Sequence, residues 1–318
     1  MKFSVLGPAG TFADAAAKAY LKTQPLTNVT FDYHPTFDQV YQAVSGDNIG
    51  LLPLENQLDG YVSATLQRLQ TANVTEIGEV TIPVDFGLVA NVADLQQIKR
   101  LYVQFKTEGQ CQKLLSTIPN VQIITTSSNM ISLEKFQSGQ PGDAAIIPQS
   151  QMADLSVPLM MDNVADQDDN STRFIVFKSR RAHLDRLAQQ TLVTDQFKAP
   201  LFVTPAFNDH PGTLYNILGY FAASQLNLVA LMSLPTKTQL GVYSFYLEVS
   251  GTRDQQADLF KTLERMAANY QVHPLGYYAV WAAGASCLAL MARCLAKFWR
   301  WNSARWTAWV TNKWVLAS

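Results

Sequence analysis

The chain has 318 residues, enough for two or three domains that each bury a core. Its 24 basic and 25 acidic residues balance, which argues against a general nucleic-acid-binding surface, so that any anion site must be local. The three cysteines form no CxxC pair and have no histidine at ligand spacing, a pattern that argues against structural zinc and disulfides and favours a reducing, cytoplasmic compartment. The first residues read as a short strand and turn rather than a secretory leader.

Short apolar runs alternate with helical patterns over residues 1–178. Strands are predicted near residues 2–6, 49–52, 80–90, 101–105, 121–125, 144–147 and 174–178. Helices are predicted near residues 12–22, 62–72, 108–116, 129–137 and 148–153. This alternation predicts an α/β structure with mostly parallel sheets and a ligand crevice at the carboxyl ends of strands.

A charged, glutamine-rich segment follows over residues 179–198 and is predicted to be a linker. Residues 199–276 then repeat the order strand, helix, strand, strand, helix, strand, with the first helix opened by Asp209. This βαββαβ order predicts a ferredoxin-like domain.

The last segment, residues 277–318, differs from the rest of the chain. It begins with an uncharged run and continues with basic residues among all six tryptophans. Three interpretations stay open for this tail: a marginal membrane association, a helix that covers an apolar surface, or a poorly ordered appendage from an altered reading frame.

Polar residues stand at the ends of three predicted strands. Asn170-Ser171-Thr172-Arg173-Phe174 opens an apolar strand and offers a hydroxyl and a guanidinium for an anion, or alternatively a capping or surface pair. Gly7-Pro8-Ala9-Gly10-Thr11-Phe12 joins the first strand to a helix, either as an anion-binding turn or as a simple cap. Pro53-Leu54-Glu55-Asn56 offers a carboxylate and an amide, or caps the next helix.

In this order and spacing, these three motifs resemble prephenate dehydratase. The following βαββαβ unit resembles the ACT regulatory domain of that family, and the likeness covers about residues 1–276. It implies a catalytic part of two α/β lobes similar to the periplasmic binding protein fold, with prephenate in the cleft and with no metal or organic cofactor. Prephenate loses CO2 and water to give phenylpyruvate, and formation of the aromatic ring drives the reaction.

The resemblance also implies roles for individual residues. Thr172 would protonate or hydrogen-bond the leaving hydroxyl, and the other implied catalytic residues are Glu55, Asn56 and Gln110. The implied substrate-binding residues are Thr11, Arg173 and Phe174. A degenerate effector site for phenylalanine would comprise Gly212, Thr213, Leu214 and Ser233.

The chain departs from the family pattern at two places. Val103-Gln104-Phe105-Lys106 stands where the family has Ser-His-Pro-Gln, so that a hydroxyl expected in the cleft is replaced by Val103. Met232-Ser233-Leu234-Pro235 stands where the family has Glu-Ser-Arg-Pro, so that both charges of the effector run are absent. Weakened or absent inhibition by phenylalanine is therefore predicted.

The leading hypothesis is a prephenate dehydratase of phenylalanine biosynthesis that forms a homodimer or homotetramer and binds no nucleic acid. An arogenate dehydratase differs only in the side-chain amino group of its substrate. A prephenate-binding regulatory protein would keep the cleft and lose turnover, and Val103 favours that alternative. A membrane-tethered protein depends wholly on the tail.

Overall fold

A computed structural model of the chain describes residues 1–24, 26–179, 187–188, 190, 192, 194–205, 210–237 and 241–280. Asp209 and the tail from residue 281 onward lie outside the described residues, as do the three interpretations of that tail. Within the described ranges, no helix is both long and apolar enough to cross a membrane.

Regular structure accounts for most of the described chain. Its strands are β1 Lys2–Leu6, β2 Thr30–His34, β3 Ile49–Asn56, β4 Gly60–Tyr61, β5 Thr75–Pro83, β6 Phe86–Ala90, β7 Arg100–Gln104, β8 Gln122–Thr126, β9 Asp143–Pro148, β10 Leu159–Met161, β11 Ser171–Lys178, β12 Gln196–Pro205, β13 Asn227–Pro235, β14 Tyr243–Thr252, β15 Tyr270–Pro274 and β16 Tyr278–Ala279. Its α-helices are α1 Phe12–Thr23, α2 Phe37–Ala43, α3 Ser63–Thr71, α4 Phe105–Gly109, α5 Gln112–Leu115, α6 Asn129–Gln137, α7 Thr213–Ala223 and α8 Gln256–Ala267.

The first lobe is built on a mixed sheet in the order β2-β1-β3-β11-β5, with β4 paired to β3. Strands β1, β2 and β3 are parallel, as predicted, whereas β11 runs antiparallel to both β3 and β5. The difference arises because β11 is not part of a βαβ unit: the chain reaches it on returning from the other lobe. Apolar residues of α1 pack on this sheet beside Phe3, Val5 and Val176.

The second lobe is a separate sheet in the order β10-β6-β9-β7-β8. The run predicted as one strand over 80–90 is two strands, and residues 84–85 between them carry the chain from the first sheet to the second. Residues 162–170 carry it back. Two crossings therefore join two α/β lobes, which confirms the predicted two-lobed architecture with a cleft between the lobes.

The third unit is an antiparallel sheet in the order β13-β14-β12-β15, with α7 and α8 contributing to its core. Its element order confirms the predicted ferredoxin-like βαββαβ arrangement. β12 begins at Gln196, within the range predicted as a linker, and β16 pairs with β12. Tyr277 and Tyr278, at the start of the predicted tail, are 1% and 2% exposed.

The third unit packs directly on the first lobe. One apolar cluster contains Leu52 and Leu54 of β3 together with Phe202, Leu234 and Tyr246 of the third unit. Each fully buried side chain of this size contributes roughly 2 kcal/mol to the free energy of unfolding. The strand that ends at Asn56 therefore has the second lobe beyond its carboxyl end and the third unit against its side.

Candidate active site

A cavity of about 320 Å³ lies between the two lobes. It is lined by residues Phe12, Phe37, Pro53, Asn56, Asp59, Val62, Val84, Phe86, Gln104, Lys106, Thr107, Gln110, Ser127, Ser128, Asn129 and Thr172. The lining is mostly apolar and amide or hydroxyl in character, as in many sites for small organic ligands. Over the described ranges, no group of three or more His, Cys, Asp or Glu side chains is arranged to hold a metal ion.

The side chain of Asn56 has a fixed orientation at the end of β3. Its Oδ1 accepts hydrogen bonds from the backbone amides of Leu58 and Asp59, at 3.0 and 2.9 Å. The Nδ2 group must therefore face the other way, where it lies 2.9 Å from Thr172 Oγ1 and 2.9 Å from Asn170 Oδ1. The assignment of amide oxygen and nitrogen follows from this network, because only the oxygen can accept from two backbone amides.

The hydroxyl of Thr172 is oriented by that contact. Thr172 lies opposite Asn56 in the β3–β11 pair, is 9% exposed and lines the cavity. Because the Asn56 amide donates to Thr172 Oγ1, the hydroxyl hydrogen of Thr172 does not have to point at Asn56. A hydroxyl held as an acceptor on one side can donate on the other, towards a ligand in the cleft.

Asn170 connects the two lobes beneath the cavity. Its Oδ1 accepts from Asn56, and its Nδ2 donates to Gln110 Oε1 at 3.1 Å. Gln110 is the C-cap of α4 in the second lobe, so that a chain of hydrogen bonds runs from Gln110 through Asn170 and Asn56 to Thr172. The sequence motif contained Asn170 but no role was predicted for it. Its 3% exposure beside a strand entrance is a property that only the tertiary structure reveals.

Glu55 and Arg173 lie on the opposite face of the sheet from Asn56 and Thr172. Successive side chains of a strand point to opposite faces, and Arg173 pairs with Glu55 where Thr172 pairs with Asn56. Arg173 Nη2 donates to Glu55 at 2.9 Å, and neither residue lines the cavity. The predicted substrate-binding guanidinium and the predicted catalytic carboxylate are thus bound to each other outside the cleft.

Two further glutamates hold the Arg173 guanidinium. Nη1 donates to Glu79 of β5 at 3.0 Å and to Glu248 of β14 at 2.5 Å, and the Arg173 side chain is 11% exposed. Burial alone would lower the pKa of Arg173, but the charge of Glu248 and its hydrogen bond outweigh burial and raise it. Arg173 therefore joins β3, β5 and β11 of the first lobe to the third unit.

Thr11 and Phe174 also serve the fold in this structure. Thr11 is the N-cap of α1, with Oγ1 accepting from the Asp14 amide and donating to the Leu6 carbonyl. Phe174 is 3% exposed within the apolar cluster under α1. Phe12, the residue after Thr11, is the member of that turn that lines the cavity.

Val103 does not face the cleft. It is fully buried in the apolar core of the second lobe, so that its missing hydroxyl removes no group from the cavity lining. The expectation that Val103 leaves a gap in the site is wrong, because the strand turns that side chain inward. Gln104 and Thr107 line the cleft instead, and the Thr107 hydroxyl donates to Asn129 Oδ1 at 2.9 Å. No motif in the sequence indicates Thr107.

The predicted effector residues lie in the third unit. Gly212, with a φ of 92°, precedes α7. The Thr213 hydroxyl donates a hydrogen bond to the backbone carbonyl of His210 at 2.8 Å. Leu214 packs on the core of the unit, whereas Ser233 is exposed on β13. A cavity of about 600 Å³ lies beside α7 and includes Thr213 but not the other three predicted residues.

Comparisons with known proteins agree with the fold and the cleft. The prephenate dehydratase family model matches residues 3–182. The prephenate dehydratase of Lactococcus lactis subsp. cremoris is 25% identical over 289 residues, which cover 89% of this chain and 99% of the relative. These matches span all of the first two lobes.

Two solved structures have the same architecture. The prephenate dehydratase of Staphylococcus aureus is 26% identical with a TM-score of 0.71, over 88% of this chain and 100% of that one. The prephenate dehydratase of Arthrobacter aurescens in complex with L-Phe is 26% identical with a TM-score of 0.69, over 96% and 100% of the chains. The fold and cleft define a two-lobed α/β protein with a small-molecule site between its lobes. More particularly, the chain belongs to the prephenate dehydratase family.

Proposed function

We propose that this chain is a prephenate dehydratase, a carbon–oxygen lyase that converts prephenate to phenylpyruvate, water and CO2 in phenylalanine biosynthesis. The observation that carries the proposal is the contact between the Asn56 amide and Thr172 Oγ1 in the inter-lobe cavity. It directs a hydroxyl donor into a cleft of suitable size for a small organic acid. The family relationship supports the same reaction.

The reaction requires no covalent bond between the protein and the substrate. As the bond to the ring carboxylate breaks, its electron pair enters the ring, and the ring carbon–oxygen bond breaks on the other side. The hydroxyl leaves as hydroxide and takes a proton from solvent to become water. Thr172 donates a hydrogen bond to the departing oxygen as its negative charge develops, and such a preorganised donor is worth on the order of a hundredfold in rate.

We assign the proposed site residues to two groups by position. Thr172, Asn56 and Gln110 line the cleft: Thr172 acts on the substrate, Asn56 orients Thr172, and Asn170 positions the side-chain amides of Asn56 and Gln110. The remaining predicted residues act through the scaffold: Glu55 and Arg173 through their ion pair, Thr11 as a helix cap and Phe174 in the core.

The proposed domain division assigns catalysis to residues 1–178, a linker to 179–198 and an ACT regulatory domain to 199–276. The βαββαβ topology of the third unit supports this division, and the Arthrobacter aurescens relative was solved in complex with L-Phe. In this chain Met232 and Leu234 replace the charges of the effector run, so we propose that the response to phenylalanine is weakened or absent. A homodimer or homotetramer in the cytoplasm completes the proposal. The cysteine pattern supports that compartment.

Turnover of prephenate tests the proposal directly. Purified protein is incubated with prephenate, and phenylpyruvate formation is followed by absorbance, with arogenate in a parallel reaction. We expect phenylpyruvate from prephenate at a higher kcat/KM than phenylalanine from arogenate, because the relatives act on prephenate by name. Binding of prephenate without turnover would replace the enzyme by a regulatory protein.

A further inference from the structure

The cavity contains one ion pair that joins the two lobes. Lys106 Nζ, on α4 of the second lobe, lies 3.0 Å from Asp59 Oδ2, on the turn after β3 of the first lobe. Among the described lining residues, Lys106 is the one cation and Asp59 the one carboxylate. The charged groups of the cavity therefore neutralise each other across the cleft.

The backbones of both residues are anchored by neighbouring side chains. The amide of Asp59 donates to Asn56 Oδ1 at 2.9 Å, and the amide of Lys106 donates to Gln104 Oε1 at 2.8 Å. The pair is thus built onto the same Asn56 that orients Thr172. Both residues line the cavity, so that a carboxylate bound there can compete with Asp59 for the Lys106 ammonium.

The pair is weak enough to exchange. The side chains of Lys106 and Asp59 are 62% and 34% exposed. Ion pairs with this exposure contribute between zero and about 1 kcal/mol, because water and salt screen them. A released Asp59 carboxylate remains hydrated, so that breaking the pair leaves no buried charge.

A dianionic substrate needs a cation that the other residues do not supply. Prephenate carries two carboxylates, and the predicted substrate-binding cation, Arg173, is engaged by Glu55, Glu79 and Glu248 on the far face of the sheet. We propose that Lys106 is a substrate-binding residue that exchanges Asp59 for a carboxylate of prephenate. This role rests on the proposed function of the chain. Asp59 then acts as a competitor that occupies Lys106 until the substrate enters.

If Lys106 exchanges partners, substitutions of Lys106 and Asp59 should change KM for prephenate in opposite directions. Lys106→Met removes the cation and raises KM for prephenate by about tenfold, the usual scale for one charge-assisted hydrogen bond, with kcat nearly unchanged. Asp59→Asn removes the competitor and lowers KM. A merely structural ion pair would respond alike to both substitutions, since either one abolishes it. Lys106→Arg retains the charge and serves as the matched control.

The experiment measures kcat and KM of the unaltered chain and the three variants at low and high salt, with circular dichroism to verify folding. Opposite changes in KM for Lys106→Met and Asp59→Asn, with Lys106→Arg close to the unaltered chain, support the proposal. An active unaltered chain whose KM does not change in Lys106→Met overturns this role alone. A chain without any turnover of prephenate overturns the proposed function and this role together.

Discussion

The Asn56 side chain determines what the Thr172 hydroxyl can do. Its amide must donate because its oxygen is held by two backbone amides, and this arrangement leaves the hydroxyl of Thr172 as a donor to the cleft. The proposed chemistry therefore requires an amide at position 56. A carboxylate of the same shape would reverse the direction of the hydrogen bond to Thr172.

Asn56→Asp tests this requirement with little change in volume. The aspartate still accepts from the amides of Leu58 and Asp59 but accepts from Thr172 as well, which withdraws the hydroxyl hydrogen from the substrate. We expect kcat to fall on the order of a hundredfold, measured as phenylpyruvate formation at saturating prephenate. An equal kcat in Asn56→Asp and the unaltered chain would contradict the assigned orientation.

Glu76 is a second residue whose environment has a measurable consequence. It is 1% exposed, and neither carboxyl oxygen has a hydrogen-bond partner among the described residues. Burial, and secondly the charge of Glu248, raise the pKa of Glu76 well above its ordinary value. The folded protein therefore retains a proton that the unfolded chain releases near pH 4.3.

Stability should consequently fall as pH rises above that value, since the unfolded state binds fewer protons. Glu76→Gln imitates the protonated form and removes this dependence. We expect the variant to melt at a higher temperature than the unaltered chain at pH 7 to 8, with the difference shrinking towards pH 4. A difference in melting temperature that is independent of pH would show that Glu76 is not the group responsible.

At the scale of elements, strand alternation explains which predicted site residues meet. Thr172 and Asn56, both predicted at strand ends, lie opposite each other in the β3–β11 pair. The alternation of β11 already implied that Thr172 and Arg173 face opposite sides. The sequence could not indicate that the Arg173 guanidinium binds Glu248, because Glu248 is 75 residues away and belongs to another unit.

The elements that escaped prediction have weak apolar patterns for identifiable reasons. β2 is an edge strand with no fully buried residue, and α2 buries only Val40. The apolar run over residues 80–90 predicts one strand, but Pro83 and Asp85 interrupt it at the lobe crossing. Proline within an apolar run was the available signal for that division.

Each glutamate that binds Arg173 should stabilise the folded protein more, the more deeply its side chain is buried. The Glu248 side chain is 1% exposed and that of Glu55 is 37% exposed, although both bind the same guanidinium. Glu248→Gln removes a buried charge partner and should lower the free energy of unfolding by about 3 kcal/mol. Glu55→Gln, the matched control, should cost less than about 1 kcal/mol. If denaturant titrations show that both variants lose the same free energy of unfolding, burial does not determine the strength of these ion pairs.

At the scale of the whole molecule, one apolar cluster contains residues of both the third unit and the first lobe. Leu234 is 7% exposed in the cluster that contains Leu52 and Tyr246, and Met232 packs against the same cluster. The two residues that replace the charges of the family's effector run thus contribute apolar contacts to the first lobe. The sequence shows that those charges are absent, but it does not show that Met232 and Leu234 pack in a cluster with residues of the first lobe.

Phenylalanine should therefore have little effect on turnover. A zwitterionic amino acid needs charged or polar partners, and neither Met232 nor Leu234 can supply one. We expect less than twofold inhibition at millimolar phenylalanine, measured as initial rates of phenylpyruvate formation over a phenylalanine titration. Strong inhibition in that range would mean that other residues of the third unit bind the effector.

The central claim is that the Thr172 hydroxyl, held by Asn56, assists the departure of the ring hydroxyl. The most direct test compares kcat of Thr172→Ala and Thr172→Ser with that of the unaltered chain, using prephenate and verifying the melting temperature of each. Thr172→Ala should lose on the order of a hundredfold in kcat, and Thr172→Ser should recover most of it because it restores the hydroxyl. A Thr172→Ala variant that is folded and turns over prephenate at the rate of the unaltered chain would contradict the claim.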